Sequence, residues 1–364
     1  MKATIKLAWV RAFRPKRGLP GAERTSLMRV GLVAALGALI MMFWATNVES
    51  TIGTARYFQT NTYDTMLLQR GVDNPMLSSA VPASIVDELQ ATPGLKAVGV
   101  TWYFANVSGR DVLVGMYRSG GSTAPLLAEG HDVLSDDEVV LDKGLARSLG
   151  VQVGDNLTLA NHRYQVVGLS RETGAFGKEM VFISESAMFR LYGGEFYNSV
   201  AITGVVPPRL RAELAGNYDL ITRQQYIDGN VDYWVRNVSG LIVTIIGVIT
   251  LGGAILVTII LGKQLELQLP TLGMMRAVGA SRGQIVGSEV IALAWLSVCG
   301  LILALPLATA LIALTNLSTP GFHASLTADA ASVGVVGIAL ITIISSLRLA
   351  RKASRANVMA LIRS

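Results

Sequence analysis

Four stretches of this chain carry no charged side chain over the length a helix needs to cross a lipid bilayer, and nothing else in the sequence constrains the fold as strongly. The first is Val30 to Val48, nineteen residues between Arg29 and Glu49; the others are Asn237 to Gly262, Val290 to about Asn316, and Ala330 to Leu347. About 20 apolar residues span a hydrocarbon core of roughly 30 Å, whereas uncharged helices buried in soluble proteins seldom exceed about 14. Only 15% of the 364 residues are charged, against roughly 25% in soluble domains. The spacing predicts four transmembrane helices. A tail of 29 residues precedes the first stretch and further spans follow it, so it reads as a retained anchor rather than a cleaved signal peptide.

Charge then sets the orientation. Residues 1–29, 263–289 and the segment after Leu347 together hold sixteen Lys and Arg against three acids, Glu23, Glu266 and Glu289. The remaining fifteen Lys and Arg face 22 acids on the other side. By the positive-inside rule both ends and the middle loop are cytoplasmic. The segment 49–238, about 190 residues of ordinary polarity, lies outside and is long enough to bury a core of its own. The formal charge of +6 is therefore a topology signal, and no nucleic-acid partner is expected.

Within the outer segment the pattern predicts an α+β domain: a helix over Ala83 to Gln90, a turn at Pro93-Gly94, a strand near Leu95 to Ala105, a turn at Ser108-Gly109 and a strand from Asp111 to Tyr117. A second module follows, with a short strand at Val139 to Leu141, a helix from Lys143 to Leu149 closed by Gly150, and a hairpin of Asn156 to Ala160 and Arg163 to Leu169 turning at Asn161-His162.

Catalytic chemistry is not indicated. The run His131, Asp132, Asp136, Asp137, Glu138 offers oxygen ligands of the kind hard cations take, but it lacks the glycine-punctuated alternation of a calcium loop and reads as a solvated turn. His131, His162 and His323 stand far apart, and no zinc site is expected. Gly279-Ala280-Ser281-Arg282-Gly283 matches G-x-S-x-G, yet it lies between two membrane runs rather than after a strand, and His323 falls on the opposite side. The single cysteine, Cys299, excludes an intramolecular disulfide. No G-x-x-x-x-G-K-[ST] phosphate cradle occurs, so the chain is not expected to hydrolyse ATP, nor to hold a metal or cofactor.

The middle loop carries the sharpest motif. Residues Gln268 to Ile285 read QLPTLGMMRAVGASRGQI. Pro270 suits the first turn of a helix, where its missing N–H costs nothing. Leu272, Met274, Met275 and Val278 supply an apolar face, Arg276 and Arg282 offer planar forks for carboxylates, and Gly273 and Gly279 permit close backbone approach. The pattern L-P-x-x-G-x-x-[KR]-A-x-G resembles the coupling region of MacB/FtsX-type (type VII) ABC transporter permeases. Leu269-Pro270 is similar to the DevC-like branch, and Thr271 stands where MacB-like members more often carry Glu. Val139 to Gly168 resembles the family's outer module, and the tail departs from it at Arg355-Ala356-Asn357, where the family has Asp-Pro.

The resemblance implies a membrane α-helical fold of four helices with the α+β domain inserted between helices 1 and 2. It divides the chain into a cytoplasmic amphipathic segment (1–29), a first span (30–48), a MacB-like extracytoplasmic domain with stalk ends (49–238), a second span (239–262), a coupling loop (263–289), a third span (290–317), a short outer loop (318–329), a fourth span (330–347) and a tail (348–364). It implies a homodimer in a bacterial cytoplasmic membrane, coupled to two copies of a separate ATPase that brings ATP and Mg. Pro270, Thr271, Leu272, Met275, Arg276, Val278, Gly279, Ser281 and Arg282 would make that coupling. Closure of the ATPase would drive the outer domain through the stalk, exporting hydrophobic or amphiphilic molecules of glycolipid, drug-like or haem-like character. A periplasmic adaptor is left open. The alternative is an FtsX-like signalling protein that regulates a cell-wall hydrolase.

Two further features belong to the outer ends of the spans. Met41, Met42, Phe43, Trp44 and Glu49 gather soft, flat and anionic groups, a candidate substrate path with Tyr57, Tyr233 and Trp234; haem is one candidate cargo, because Met, Tyr and carboxylate groups approach its iron. Tyr57, Phe58, Tyr63, Tyr226, Tyr233 and Trp234 read more simply as an aromatic belt at the membrane boundary. Gly31, Ala34 and Ala38, with Gly247, Gly252 and Gly253, are expected to permit close helix packing.

Overall fold

The computed structural model describes residues 22–175, 178–192, 196–318 and 323–355; the rest of the expected N-terminal segment and the tail from Ala356 lie outside these. In chain order the elements are α1 (Ala22–Thr60), β1 (Thr65–Gln69), β2 (Val81–Pro82), α2 (Ala83–Ala91), β3 (Lys96–Val100), β4 (Trp102–Val107), β5 (Arg110–Met116), β6 (Leu127–Gly130), β7 (Glu138–Asp142), α3 (Lys143–Leu149), β8 (Asn156–Leu159), β9 (His162–Ser170), β10 (Met180–Ile183), α4 (Glu185–Tyr192), β11 (Phe196–Tyr197), β12 (Ser199–Thr203), α5 (Pro208–Leu214) and β13 (Tyr218–Thr222). Then come α6 (Arg223–Trp234), a π-turn (Val235–Ser239), α7 (Gly240–Ala277), α8 (Arg282–Ser318) and α9 (Ala328–Arg355). Contacts divide the chain into two compact units. One holds α1 up to Thr46, α7 from Leu241, α8 to Leu314, and α9; the other is Asn47–Gly240 with Thr315–His323.

Among the described residues four helices are long and apolar enough to cross a membrane. α1 has 39 residues, roughly 58 Å at 1.5 Å per residue, well beyond what the hydrocarbon core requires. In the helical unit α1 is buried against the others through small residues on its neighbours. A side chain at Gly334 would meet Met41 at 2.4 Å, and one at Gly300 would meet Val33 at 2.5 Å. Ala34 and Ala38 are buried as expected, but Gly31, Gly247 and Gly252 have no neighbour within 4 Å. The close approaches thus lie at Gly300 on α8, at Gly334 on α9 and, as expected, at Gly253 on α7, where a Cβ would lie 2.8 Å from Leu36. Hydroxyl bonds tie the same helices together, Ser297 Oγ to Thr342 Oγ1 at 2.6 Å and Ser345 Oγ to the Ala254 carbonyl at 3.1 Å. Such pairs matter where no water competes for the polar groups.

Among the described residues the outer unit is built on two large sheets and a two-stranded antiparallel ribbon of β11 and β2. The larger orders its strands β4-β5-β10-β7-β9-β6, with β8 paired to β9; the smaller orders them β13-β1-β12-β3. The β5–β10 and β7–β9 pairs are parallel and the other pairs antiparallel. Strand side chains alternate between faces, and here both faces are covered. Val181 and Ile183 of β10 enter one hydrophobic cluster while Met180 and Phe182 enter the other. Leu67 and its neighbours Met66 and Leu68 on β1 divide in the same way. Continuous apolar strands such as Val139-Val140-Leu141 follow from this two-sided burial.

The helices at 83–91 and 143–149 and the Ser108-Gly109 turn form as the sequence predicts; Gly150 closes α3 in the left-handed conformation. Two expectations are corrected. The apolar run from Leu95 does not make one strand: it breaks at Thr101, so that β3 joins the smaller sheet and β4 the larger. Gly115 makes room for the bend, since a Cβ there would lie 2.3 Å from the Trp102 ring. The β8–β9 hairpin turns at Ala160-Asn161, with φ of 48° and 67°, and His162 already pairs with Leu159. Two successive left-handed residues are what a two-residue hairpin turn of the right twist needs.

Asp142 caps α3, accepting from the Gly144 and Leu145 N–H groups at 2.7 and 3.2 Å, while Thr173 Oγ1 donates to its other oxygen at 2.6 Å. Burial pushes its carboxyl above the ordinary value, against the opposing pull of those donors. An acid with a raised folded-state pKa contributes stability at low pH that is lost as pH rises through that value. Asp142→Asn keeps a capping oxygen without the charge, and is expected to match or exceed the wild-type melting temperature at pH 7. It should also lose the gain in stability that the wild type shows as pH falls toward 3.8. Asp142→Ala loses the cap and should cost about 1 kcal/mol or more. Thermal unfolding of the purified full chain from pH 7 to pH 4 checks all three.

Candidate functional site

The second span does not end where its apolar run ends. α7 continues without a break through the motif to Ala277, so Pro270, Thr271, Leu272, Met275 and Arg276 lie on the same helix as the span. Pro270 therefore sits in a helix interior, where it has no backbone N–H to give, rather than opening a new helix as its sequence context suggests. The side chains of these five residues, and that of Arg282, fall outside the described residues. The chain reverses over Val278, Gly279 and Ala280. Val278 is 90% exposed, and Gly279 has φ of +100°, a conformation L side chains rarely adopt.

Ser281 opens α8 through a reciprocal cap. Its N–H donates to Gln284 Oε1 at 2.9 Å and its Oγ accepts from the Gln284 N–H at 3.2 Å. This capping box is a stop-and-start device between two helices, and it accounts for the G-x-S-x-G match: the serine hydroxyl serves the backbone, on a helix-to-helix reversal with no strand before it.

At the outer ends of the spans the proposed path residues separate. Met41 is wholly buried in the helical unit; Met42, Phe43 and Trp44 are half-buried. In the outer unit Glu49 pairs with Arg56 at 2.8 Å. Tyr57 is 1% exposed. Its hydroxyl donates to the Thr123 carbonyl, and its ring packs edge-on against Phe58 and Trp102 and tilted against Phe182. Phe58, Tyr63 and Tyr226 join it in the domain core, so the aromatic belt expected at these four positions is instead an internal anchor for the ends of α1 and α6. Burying rings of this size in a packed core outweighs the interfacial preference of Tyr and Phe. Tyr233 and Trp234 are half-buried.

The acidic run is accounted for by hydrogen bonds within its loop and to Ser119 and Ser184. Asp132 accepts from Ser119 Oγ at 3.1 Å, Asp136 from Ser184 Oγ at 2.6 Å, and the Glu138 carboxylate from the Leu134 and Ser135 N–H groups. Among the described residues no group of three His, Cys, Asp or Glu is placed to hold a metal.

Two polar residues that the sequence reading passed over meet where the outer unit begins and ends. Ser239 Oγ donates to Asn47 Oδ1 at 2.9 Å across 192 positions of sequence, and both residues are buried, 8% and 6% exposed. Their only sequence signal is that each is a small polar residue at the outer edge of an apolar run.

Ser281→Ala is expected to destabilise the α8 start by about 1 kcal/mol, while Ser281→Asp, an equally good cap, should retain wild-type stability; hydrogen exchange at residues 282–286 checks this.

Comparison with known proteins bears on two segments of the chain. Residues 25–216 match the model of the MacB-like periplasmic core domain, and residues 243–358 that of the FtsX-like permease C-terminal region. Among curated proteins none matches. Two solved structures are similar over the outer domain. One is the extracellular domain of the noncanonic ABC-type transporter YknZ from Gram-positive bacteria (14% identity, 43% of this chain and 99% of that one, TM-score 0.35). The other is the periplasmic region of MacB from Actinobacillus actinomycetemcomitans (12% identity, 49% and 94%, TM-score 0.34). Because the two family models cover the outer domain and the helical region in turn, and the first alone matches more than half of the residues, the chain belongs to the MacB/FtsX-type family of ABC transporter permeases.

Proposed function

We propose that this chain is the membrane subunit of an ABC exporter that moves hydrophobic or amphiphilic molecules outward by transmitting force rather than by opening an aqueous pore. Membership of a permease family supports the coarser part: a transporter permease subunit that works with a separate ABC ATPase. The observation that carries the finer part is the continuity of α7, which runs from Gly240 through the motif at Pro270 to Ala277 as one helix. A displacement at its cytoplasmic end is passed along a hydrogen-bonded rod rather than absorbed by a loop.

In this reading two copies of the chain pair with two copies of the ATPase, which contributes ATP and Mg; this chain needs no cofactor, and haem is relevant only as cargo. The turn at Val278–Ala280, with Arg276 and Arg282 beside it, is the contact surface. Exposed Val278 supplies apolar area, and the two guanidinium groups are suited to carboxylates of the partner. The DevC-like affinity of Leu269-Pro270, the location in a bacterial cytoplasmic membrane with both ends inside, and any adaptor are parts of the same proposal. Cargo would leave along the outer end of α1 near the half-buried Met42, Phe43 and Trp44.

Copurification with the ATPase followed by ATP hydrolysis in lipid discs tests the reading. Candidate glycolipids, amphiphilic drugs or haem are expected to stimulate hydrolysis severalfold. A complex stimulated instead only by a cell-wall hydrolase would favour the signalling alternative. Arg276→Glu is expected to cut stimulated hydrolysis and export at least tenfold while leaving the outer domain folded. Unchanged export by that variant would remove the motif from the mechanism.

A further inference from the structure

Between the outer domain and α7 the backbone is not α-helical. Val235–Ser239 form a π-turn, a conformation that accounts for well under 1% of residues in proteins and occurs mostly as a single-turn bulge inside α-helices, frequently at functional sites. Such a bulge is an α-helix holding one residue too many. The extra residue leaves the faces of the helix on either side in register, and the hydrogen bonding changes locally from four-residue to five-residue spacing.

The surroundings show how this one is held. On its domain side the Val235 N–H is shared between the Val231 and Asp232 carbonyls, so ordinary α-bonding persists up to the start of the turn. Inside the turn Asn237 Nδ2 donates to the Tyr233 carbonyl at 2.8 Å, giving side-chain support where the backbone pattern changes. At its far end Ser239 makes the buried bond to Asn47 of α1. Val235, Arg236 and Asn237 are all exposed. The surplus residue can therefore move along the helix without dismantling packed side chains on that face, giving up only the Asn237–Tyr233 and Arg236–Asp232 bonds; the Ser239 end is the buried one.

We propose that Val235–Ser239 is a two-state joint and that the Asn47–Ser239 hydrogen bond is its latch. In the latched state the π-turn sits at 235–239. In the unlatched state the bulge migrates out of this position and the turn becomes α-helical. Re-registering by one residue rotates Ser239 by roughly 100° about the helix axis and shifts it by about 1.5 Å, which takes its hydroxyl away from Asn47. The element thus converts a small axial displacement of α7 into a rotation. The bond breaks in one of the two states, so it reports on which is present. This inference rests on the ABC permease reading, since the displacement comes from the partner ATPase.

The test uses the full chain in complex with its ATPase. Asn47→Cys and Ser239→Cys are introduced together on a Cys299→Ala background, which removes the one native thiol. A short thiosulfonate cross-linker is applied to the nucleotide-free and to the vanadate-trapped complex. Cross-linked product is expected to differ at least fivefold between the two. Equal yields in both, from a complex that still captures its ATPase and hydrolyses ATP, would overturn the joint alone. Failure of the wild-type chain to capture any ATPase would sink both the joint and the transporter reading.

Deletion of Asn237 gives an independent check, because removing the surplus residue should leave a plain α-helix with Ser239 still facing Asn47. That variant is expected to reach the membrane and bind the ATPase normally, with cross-linking by the same pair high and insensitive to nucleotide, and with coupled hydrolysis reduced at least tenfold. Wild-type coupling in the deletion variant, or its failure to fold, which would mean that the flanking faces require the extra residue, counts against the proposal.

Discussion

The bilayer interior offers no water to an unpaired peptide group, and the architecture follows from that single prohibition. Every N–H and C=O in the hydrocarbon region has to be satisfied within its own helix, so the chain crosses only as long unbroken helices and confines its irregular backbone to the ends. Where a helix must stop, side chains take over. Ser281 and Gln284 exchange hydrogen bonds at the start of α8, and Thr327 Oγ1 accepts from the Ala330 N–H at the start of α9. Helices obliged to be long also carry their order beyond the membrane: α1 persists to Thr60 and α7 to Ala277.

This persistence joins the chemistry of two different solvents. The outer domain is organised as any water-soluble α/β unit would be, with apolar strands covered on both faces. Yet part of one of its cores is supplied by residues on the very helices that come from the membrane, Tyr57 and Phe58 on α1 and Tyr226 and Ile227 on α6. Its aromatic cluster takes in Tyr57, Phe58 and Tyr226, and the Glu49–Arg56 pair and the Asn47–Ser239 bond belong to the same unit.

Much of this was legible in the residues. Uncharged runs bounded by Arg29, Arg236, Asp329 and Arg348 announce membrane helices because charge is so costly there. The Lys143–Gly150 helix is readable because a capping Asp, a short amphipathic stretch and a left-handed glycine each act locally. What escaped depends on tertiary partners. Alternation of apolar residues continues across Thr101 and hides the passage from one sheet to the next. Ala160 adopts a positive φ against its own preference because the hairpin twist demands it. Tyr57 and Tyr226 look alike as boundary or core residues until the rings they touch are known. The motif at residues 269–279 was readable as a pattern, but the helical continuity that carries Pro270 within α7 was not, since proline locally favours a helix start. Nothing in the composition of Val235–Ser239 distinguishes a π-turn from an α-helix.

The passage of the Lys96–Val107 segment from one sheet to the other at Thr101 has a mechanical consequence. With β3 hydrogen-bonded in one sheet and β4 in the other, a tensile load on either sheet is shared through a few covalent bonds, with no slack loop to take up the strain. The outer domain should therefore be stiff against shear and respond to a tug at its base as one piece, in the manner of a lever whose two arms are forged from the same bar.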